Sequence, residues 1–227
     1  MPRFVTCSQP GNHCFAAAVP ADVAVQVGMA CVVQTRGGPE LCRVRTVRDE
    51  AAAGAGGQPP PARVLRVATA EDLAREQQNL TLAEEAIRRF DTEVAGAPQG
   101  ARAVSARFNL DRSRLMLSYR AKQRFDARRA ATALNRRYQA AIETHQVGIR
   151  DEAAVLGGIG SCGLPVCCAT WLRAFQPVNV RMAKAQNISL NPTAINGCCG
   201  RLKCCLRYEL DQPPAASDET NEEEGDT

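Results

Sequence analysis

Residues 3–8, 12–18, 29–36 and 39–48 form short apolar-rich runs in which Val, Cys and Phe recur, and each predicts a strand. Gly37–Gly38 supplies a hairpin turn between the last two, so the four runs predict a small antiparallel β sheet or barrel. The pattern stops at "AAAGAGGQPPP", Ala51 to Pro61, which is a linker or long loop. After a predicted strand at 63–68 the period lengthens. In "TAEDLAREQQNLTLAEEAIRRFDTEV", Thr69 can cap a helix with Asp72 in its first turn, and apolar residues fall at Leu73, Leu80, Ala83, Ile87, Phe90 and Val94. That stripe predicts a long amphipathic helix packed on its own sheet, the alternative being a docked partner helix. Residues 102–110 and 114–120 alternate around "DRS" (Asp111–Ser113), which predicts a hairpin. A helix over 126–138 and a strand over 141–149 follow.

The expected fold class is therefore α+β. A small N-terminal sheet or barrel over 1–50 and the linker 51–61 precede an α+β unit over 62–147, ferredoxin-like in outline with its long helix. A Cys-rich segment over 148–210 and an acidic tail over 211–227, expected to be disordered, complete the chain.

Charge sharpens this division. Seven of the 24 acidic residues lie between Asp211 and Thr227, which has no Lys or Arg. Residues 1–210 hold 28 basic against 17 acidic residues, a net +11. Arg supplies nearly all of it, beside only Lys122, Lys184 and Lys203, and guanidinium groups match phosphates. The densest stretch carries Arg120, Lys122, Arg124, Arg128, Arg129, Arg136 and Arg137 against one acid, Asp126. It is the candidate nucleic-acid surface; a solvated helix face is the plainer reading.

"MPRFVTCSQPGNH" lacks the apolar core of a secretory signal, and the apolar stretch from Ala16 to Val33 is too interrupted for a membrane span. A cytoplasmic location is expected. Eleven cysteines in a reducing compartment point to metal or cluster ligation or redox chemistry rather than disulfides.

Seven cysteines lie between 162 and 205, in "SCGLPVCC" and "CCGRLKCC". Both contain Cys-Gly-x-x-x-Cys-Cys, offset by 37 residues: Cys162 and Cys199, Cys167 and Cys204, Cys168 and Cys205. Thiolates suit zinc, copper(I) and iron–sulfur clusters. Zinc knuckles bring cysteines two residues apart, whereas the four-residue gap here occurs in plant-type iron–sulfur ligation. Adjacent cysteines point in different directions, so each vicinal pair serves one centre and the core, or two centres. "CCATWLRAF" and "CCLRYEL" predict helices just after each pair, whose N-termini would lower a thiol pKa. Cys7, Cys14, Cys31 and Cys42, on predicted strands at unrelated spacings, are expected in the core, with Cys7, His13 and Cys14 as a minor metal alternative.

"GIRDEAAVLGGIGSCGLPVCC", "MAKAQNISLNPTAING" and "CGRLKCCLRYE" resemble the bacterial YaaT family, also called RicT, of the PSP-one C-terminal domain superfamily. The resemblance is dense from Gly148 to Glu209 and collinear upstream, as in "RVATAEDL". It implies a non-enzymatic regulatory subunit that assembles with YmcA-like and YlbF-like small helical proteins. That assembly carries 4Fe-4S clusters and works with ribonuclease Y in mRNA processing, with consequences for sporulation, competence and biofilm programmes. It implies ligands at Cys162, Cys167, Cys168, Cys199, Cys204 and Cys205, some clusters being completed by partner chains. Cys198 stands where the family pattern has an apolar residue and is an extra.

Three functions are thus in play. The first is the iron–sulfur regulatory subunit, and the second a zinc-stabilised nucleic-acid-binding module built on the basic body. A dithiol redox enzyme rests on the vicinal cysteines alone. No nucleophile elbow, P-loop or paired-carboxylate signature supports catalysis, so the chain is expected not to be an enzyme.

Overall fold

A computed structural model describes residues 3–8, 14–48, 62–97, 100–172 and 175–210, without the side chains of Arg3 and Cys14. The expectations for His13, the Cys14 side chain, the 51–61 segment and the acidic tail lie outside the described residues. The chain divides into two compact units, Met1–Leu156 and Gly157–Thr227.

The first unit opens with β1 (Arg3–Ser8), β2 (Cys14–Val19), β3 (Ala30–Thr35) and β4 (Gly38–Arg48), close to the predicted runs. β5 (Ala62–Val67) joins them, and the five strands close into a barrel in the order β1-β2-β5-β3-β4. β5 runs parallel to β2 (Ala17↔Ala62) and antiparallel to β3 (Cys31↔Val67), so the barrel is completed from beyond the 51–61 segment. Inward positions alternate along every wall: Val5 and Cys7, Ala17 and Val19, Cys31 and Val33, Cys42 and Val44, Ala62 and Val64. Cys7, Cys31 and Cys42 are buried core residues, as expected, and burial raises the Cys31 thiol pKa, keeping it neutral.

Helix α1 (Ala70–Glu93) starts at a capping box. The Asp72 N–H donates to Thr69 Oγ1 (3.3 Å), and the Thr69 N–H donates to Asp72 Oδ2 (2.8 Å). The Arg66 guanidinium also pairs with Asp72 and, as the largest influence, holds its carboxyl far below the ordinary range. The predicted stripe is partly corrected: Ala83, Phe90 and Val94 are buried, but Leu73 and Leu80 are exposed. Asp72 and Asn79 take the buried side instead, because each finds a partner there, and Glu76 is buried beside them, where Arg107 partly offsets the cost of its burial. Asn79 Nδ2 donates to the Asn109 carbonyl (3.1 Å), and Asn79 Oδ1 accepts from Arg112 Nε (2.7 Å).

β6 (Arg102–Phe108), β7 (Arg114–Arg120), α2 (Arg128–Tyr138) and β8 (Ala141–Gln146) follow as predicted, with ends shifted by a few residues. The sheet order is β6-β7-β8, β7 lying antiparallel to β6 and parallel to β8. It has three strands because β5, which would be the first strand of a ferredoxin-like unit, belongs to the barrel. Leu115, Leu117 and Tyr119 of β7 face α1 and α2, burying Phe90, Phe108, Ala130 and Leu134. A polar seam joins this core to the barrel. Leu110 N–H donates to the Pro39 carbonyl (2.8 Å), Asn109 Nδ2 to the Gly37 carbonyl (3.2 Å), and Arg107 pairs with Glu40 (3.5 Å). A Cβ on Gly38 (φ 113°) would lie 2.5 Å from Asn109 Nδ2, so only glycine closes this hairpin against its neighbour.

Helix α3 (Ile149–Leu156) was not expected; the strand predicted to residue 149 stops at Gln146. Its buried Glu152 accepts from Arg120 (2.7 Å) and pairs with Arg102, tying the helix to the sheet. No helix among the described residues is long and apolar enough to cross a membrane.

Candidate functional site

The second unit is a small fold around a thin core. α4 (Val180–Ala185), α5 (Pro192–Ile195) and α6 (Cys205–Leu210) bury Met182, Ala183, Ile195 and Leu206, with Val178, Ile188 and Leu202 packed against them. Asn179 and Asn191 cap α4 and α5 through their side-chain oxygens.

The 37-residue repeat of the sequence is also a repeat of backbone geometry. Ile159 bridges Pro165, and Asn196 bridges Leu202. The Gly160 N–H donates to the Leu164 carbonyl and the Gly197 N–H to the Arg201 carbonyl, both at 2.8 Å. Gly163 and Gly200 donate back to Gly160 and Gly197, both at 2.9 Å. Their φ values, 79° and 75°, are left-handed, the reason each motif has glycine after its first cysteine. Val166 and Lys203 likewise close onto the Gly158 and Ile195 carbonyls at 3.0 and 2.8 Å. Each copy is thus a knuckle that folds its first cysteine back over a glycine. A Cβ on Gly160 would lie 3.3 Å from Cys162 Sγ, and one on Gly197 would lie 3.8 Å from Cys199 Sγ.

The copies diverge after the vicinal pair. α6 follows Cys204 as predicted, but residues 167–171 form turns. Thr170 and Leu172 N–H groups both donate to the Cys167 carbonyl (3.2 and 3.0 Å), a closure that does not propagate a helix.

Cys162 and Cys198 are exposed, while Cys167, Cys168, Cys199, Cys204 and Cys205 are half-buried. Burial pushes the Cys168 thiol above its ordinary value, and the neighbouring Cys198, Cys199 and Cys167 add to this against a backbone hydrogen bond. Cys205 is raised by burial, then by Glu209 and Cys167, with Lys203 opposing. The thiol pKa values expected to fall at the helix starts therefore rise at these two positions. Burial and the neighbouring negative groups outweigh the end of a six-residue helix. The same influences bring the copies into electrostatic reach: Cys168 feels the second copy, and Cys205 feels the first. Among the described residues, no three His, Cys, Asp or Glu side chains are already placed to hold a metal ion. The donor chemistry, thiols on two equivalent knuckles, nonetheless suits a soft metal or cluster.

The basic residues divide. Lys122 and Arg124 are exposed in the loop before α2, whose Arg128, Arg129, Arg136 and Arg137 are also exposed. Arg128 lies near Asp126 (3.8 Å) and Arg137 near Glu85 (3.6 Å). Arg120 does not join them: β7 turns it to the opposite sheet face, where Glu152 engages it. The residues that sequence reasoning missed are Trp171 and Tyr208, whose ring centroids stand 4.3 Å apart. The 37-residue offset relates them as it relates the cysteines.

Two family models match this chain. The PSP1 C-terminal conserved region covers residues 62–147, and the third domain of PSP1-like proteins covers 177–219. The stage 0 sporulation protein YaaT of Bacillus subtilis (strain 168) is 41% identical over 163 residues, 70% of this chain and 58% of that protein. The chain belongs to the YaaT/PSP1 family. It spans little more than half the length of that relative. The first PSP1 match runs from β5 to just past β8, the second from before α4 past α6, and the first knuckle falls between them. No solved structure matches the chain.

Proposed function

We propose that this member of the YaaT/PSP1 family is a non-enzymatic regulatory subunit that carries an iron–sulfur cluster, of the 4Fe-4S type, on its two thiol knuckles. The observation that carries the reading is the contrast within the second unit: two geometrically equivalent knuckles present six thiols around a core of few buried side chains. A fold with so small a core needs a covalent or metal cross-link, and free thiols supply ligands rather than disulfides. Cys162, Cys167, Cys168, Cys199, Cys204 and Cys205 are the ligand pool. Since the described residues hold no preassembled trio, the reading takes the remaining donors or closure from partner chains, the YmcA-like and YlbF-like proteins. The relative's name is that of a sporulation protein. The role proposed here is control of mRNA processing with ribonuclease Y, in the cytoplasm, and through it of developmental programmes such as sporulation and biofilm formation.

The test is anaerobic purification of the chain, alone and with such partners, followed by iron, sulfide and zinc analysis and an absorption spectrum. Iron and labile sulfide in stoichiometric amounts support the reading. A colourless protein with stoichiometric zinc and no sulfide in both preparations overturns it.

That outcome belongs to a second reading, a zinc-stabilised nucleic-acid-binding module, favoured by the exposed Arg128, Arg129, Arg136 and Arg137 on α2. Salt-dependent RNA binding by the isolated chain, lost on charge reversal at these four, supports it. No binding even in low salt removes it.

A further inference from the structure

Trp171 and Tyr208 occupy equivalent places in the two repeats, three residues after Cys168 and Cys205. They also touch each other, with centroids 4.3 Å apart and planes inclined at 57°. Contact between equivalent residues is the mark of a two-fold-like, isologous junction, here between halves of one chain. Both rings remain about half exposed, Trp171 at 48% and Tyr208 at 42%, so core burial does not account for their position. Each is held close to its cysteine pair by short backbone links. The segment of Trp171 is fixed by the Thr170 and Leu172 N–H groups on the Cys167 carbonyl. Thr170 Oγ1 also donates to the Val166 and Cys167 carbonyls (both 3.3 Å). The segment of Tyr208 is fixed by its own N–H on the Cys204 carbonyl (3.5 Å). Separating the rings therefore moves Cys167 and Cys204 apart.

We propose that Trp171 and Tyr208 form a clasp that holds the two thiol knuckles together before any metal arrives, and so positions their cysteine pairs for a shared centre. The two are positioning residues, not ligands. The second half of the statement rests on the metal reading above; the first half does not. The clasp answers a difficulty of assembly. Among the described residues no three thiols are already placed to share a metal ion, so the apposition has to be enforced by something other than the thiols. An offset aromatic pair does this without adding charge.

The experiment uses the full chain, reduced and metal-free, with iodoacetamide labelling followed peptide by peptide. In Trp171→Ala and in Tyr208→Ala, Cys167, Cys168, Cys204 and Cys205 are expected to label about three- to tenfold faster, the factor that one aromatic pair is worth. Trp171→Phe and Tyr208→Phe should restore the slow rate. Cys31 and Cys42, inside the barrel, should stay unreactive throughout and serve as the folding control. Trp171 is the only tryptophan, so a red shift of its emission in Tyr208→Ala reports the open clasp directly. Unchanged labelling in both alanine variants overturns the proposal, and so does faster labelling that Cys31 and Cys42 share. A Co²⁺ titration of the same proteins separates the two claims. Binding weakened by a similar factor in the alanine variants supports positioning, and unchanged binding overturns it. No thiolate–Co²⁺ band even in the unaltered chain overturns positioning for a centre built from this chain's thiols alone, while the labelling still decides the clasp and purification with partners decides the cluster reading.

Discussion

The two units of this chain solve the same problem with different materials. In Met1–Leu156, a barrel interior and a sheet–helix core bury many aliphatic and aromatic side chains, and Asn109 and Arg107 link the two through polar contacts with Gly37 and Glu40. In Gly157–Thr227 the buried apolar set is small, and the repeated feature is a hydrogen-bonded knuckle with thiols at its edge. Cysteine shows the difference at one residue type. Cys7, Cys31 and Cys42 replace aliphatic side chains in a barrel wall, whereas the cysteines of the second unit keep access to solvent. The first unit depends on the hydrophobic effect; under the proposed cluster reading, the second depends on what joins its sulfurs.

The contrast makes its largest demand on metal removal. Under the proposed cluster reading, chelation under reducing conditions should abolish protease resistance within 157–210 while the melting of the first unit is unchanged, because binding free energy would then be folding free energy. Cleavage that begins in the barrel instead would break the comparison. Next in size, Leu117→Ala, at the centre of the sheet–helix core, should cost about 2–5 kcal/mol in denaturant unfolding and leave the metal content untouched. Cys42→Ala should cost about 1–2 kcal/mol and, under the same reading, keep any cluster, which Cys168→Ser should lose. If both lose metal, the two cysteine classes are not distinct. Glu152→Gln leaves Arg102 and Arg120 without their carboxylate, and since both are partly exposed the expected cost is about 1 kcal/mol, read as earlier fraying of α3 in hydrogen exchange.

The smallest effect is one of pH. The folded Asp72 carboxyl titrates below its unfolded value, so its contribution is fully present above the ordinary carboxylate range and is lost as pH falls through the folded value. Asp72→Asn should flatten the acid limb of the stability profile by about 1 kcal/mol. Glu76 runs the other way: burial raises its pKa, so its burden at neutral pH eases on acidification.

Much of the first unit was legible because one rule sufficed for each element. Apolar-rich runs and a glycine turn marked the barrel strands, alternation marked β6 and β7, and Thr69 with Asp72 marked the start of α1. Leu73 and Leu80 were misplaced because an apolar stripe predicts the buried face only when polar residues lack partners, and Asn79 and Asp72 have them. The partners, Asn109 and Arg66, come from other elements, so the helix alone could not reveal this. α3 was missed for the same reason, its Glu152 being buried only because Arg102 and Arg120 meet it. In the second unit the repeat was legible to the residue, and carrying it three positions further would have found Trp171 and Tyr208. The difference between α6 and the turns at 167–171 was not legible, since both follow the same Cys-Cys pair.

The place of β5 in the barrel has a consequence for synthesis. Its two neighbours, β2 and β3, come from the first 35 residues, yet neither has its full set of ladder bonds until residue 67 has been made. A chain ending before β5, with the first four strands paired as β2-β1-β4-β3, would present two open strand edges, the kind of surface that recruits other chains. Loop-closure entropy grows only logarithmically with length, so added residues between β4 and β5 would cost the barrel far less than the loss of β5.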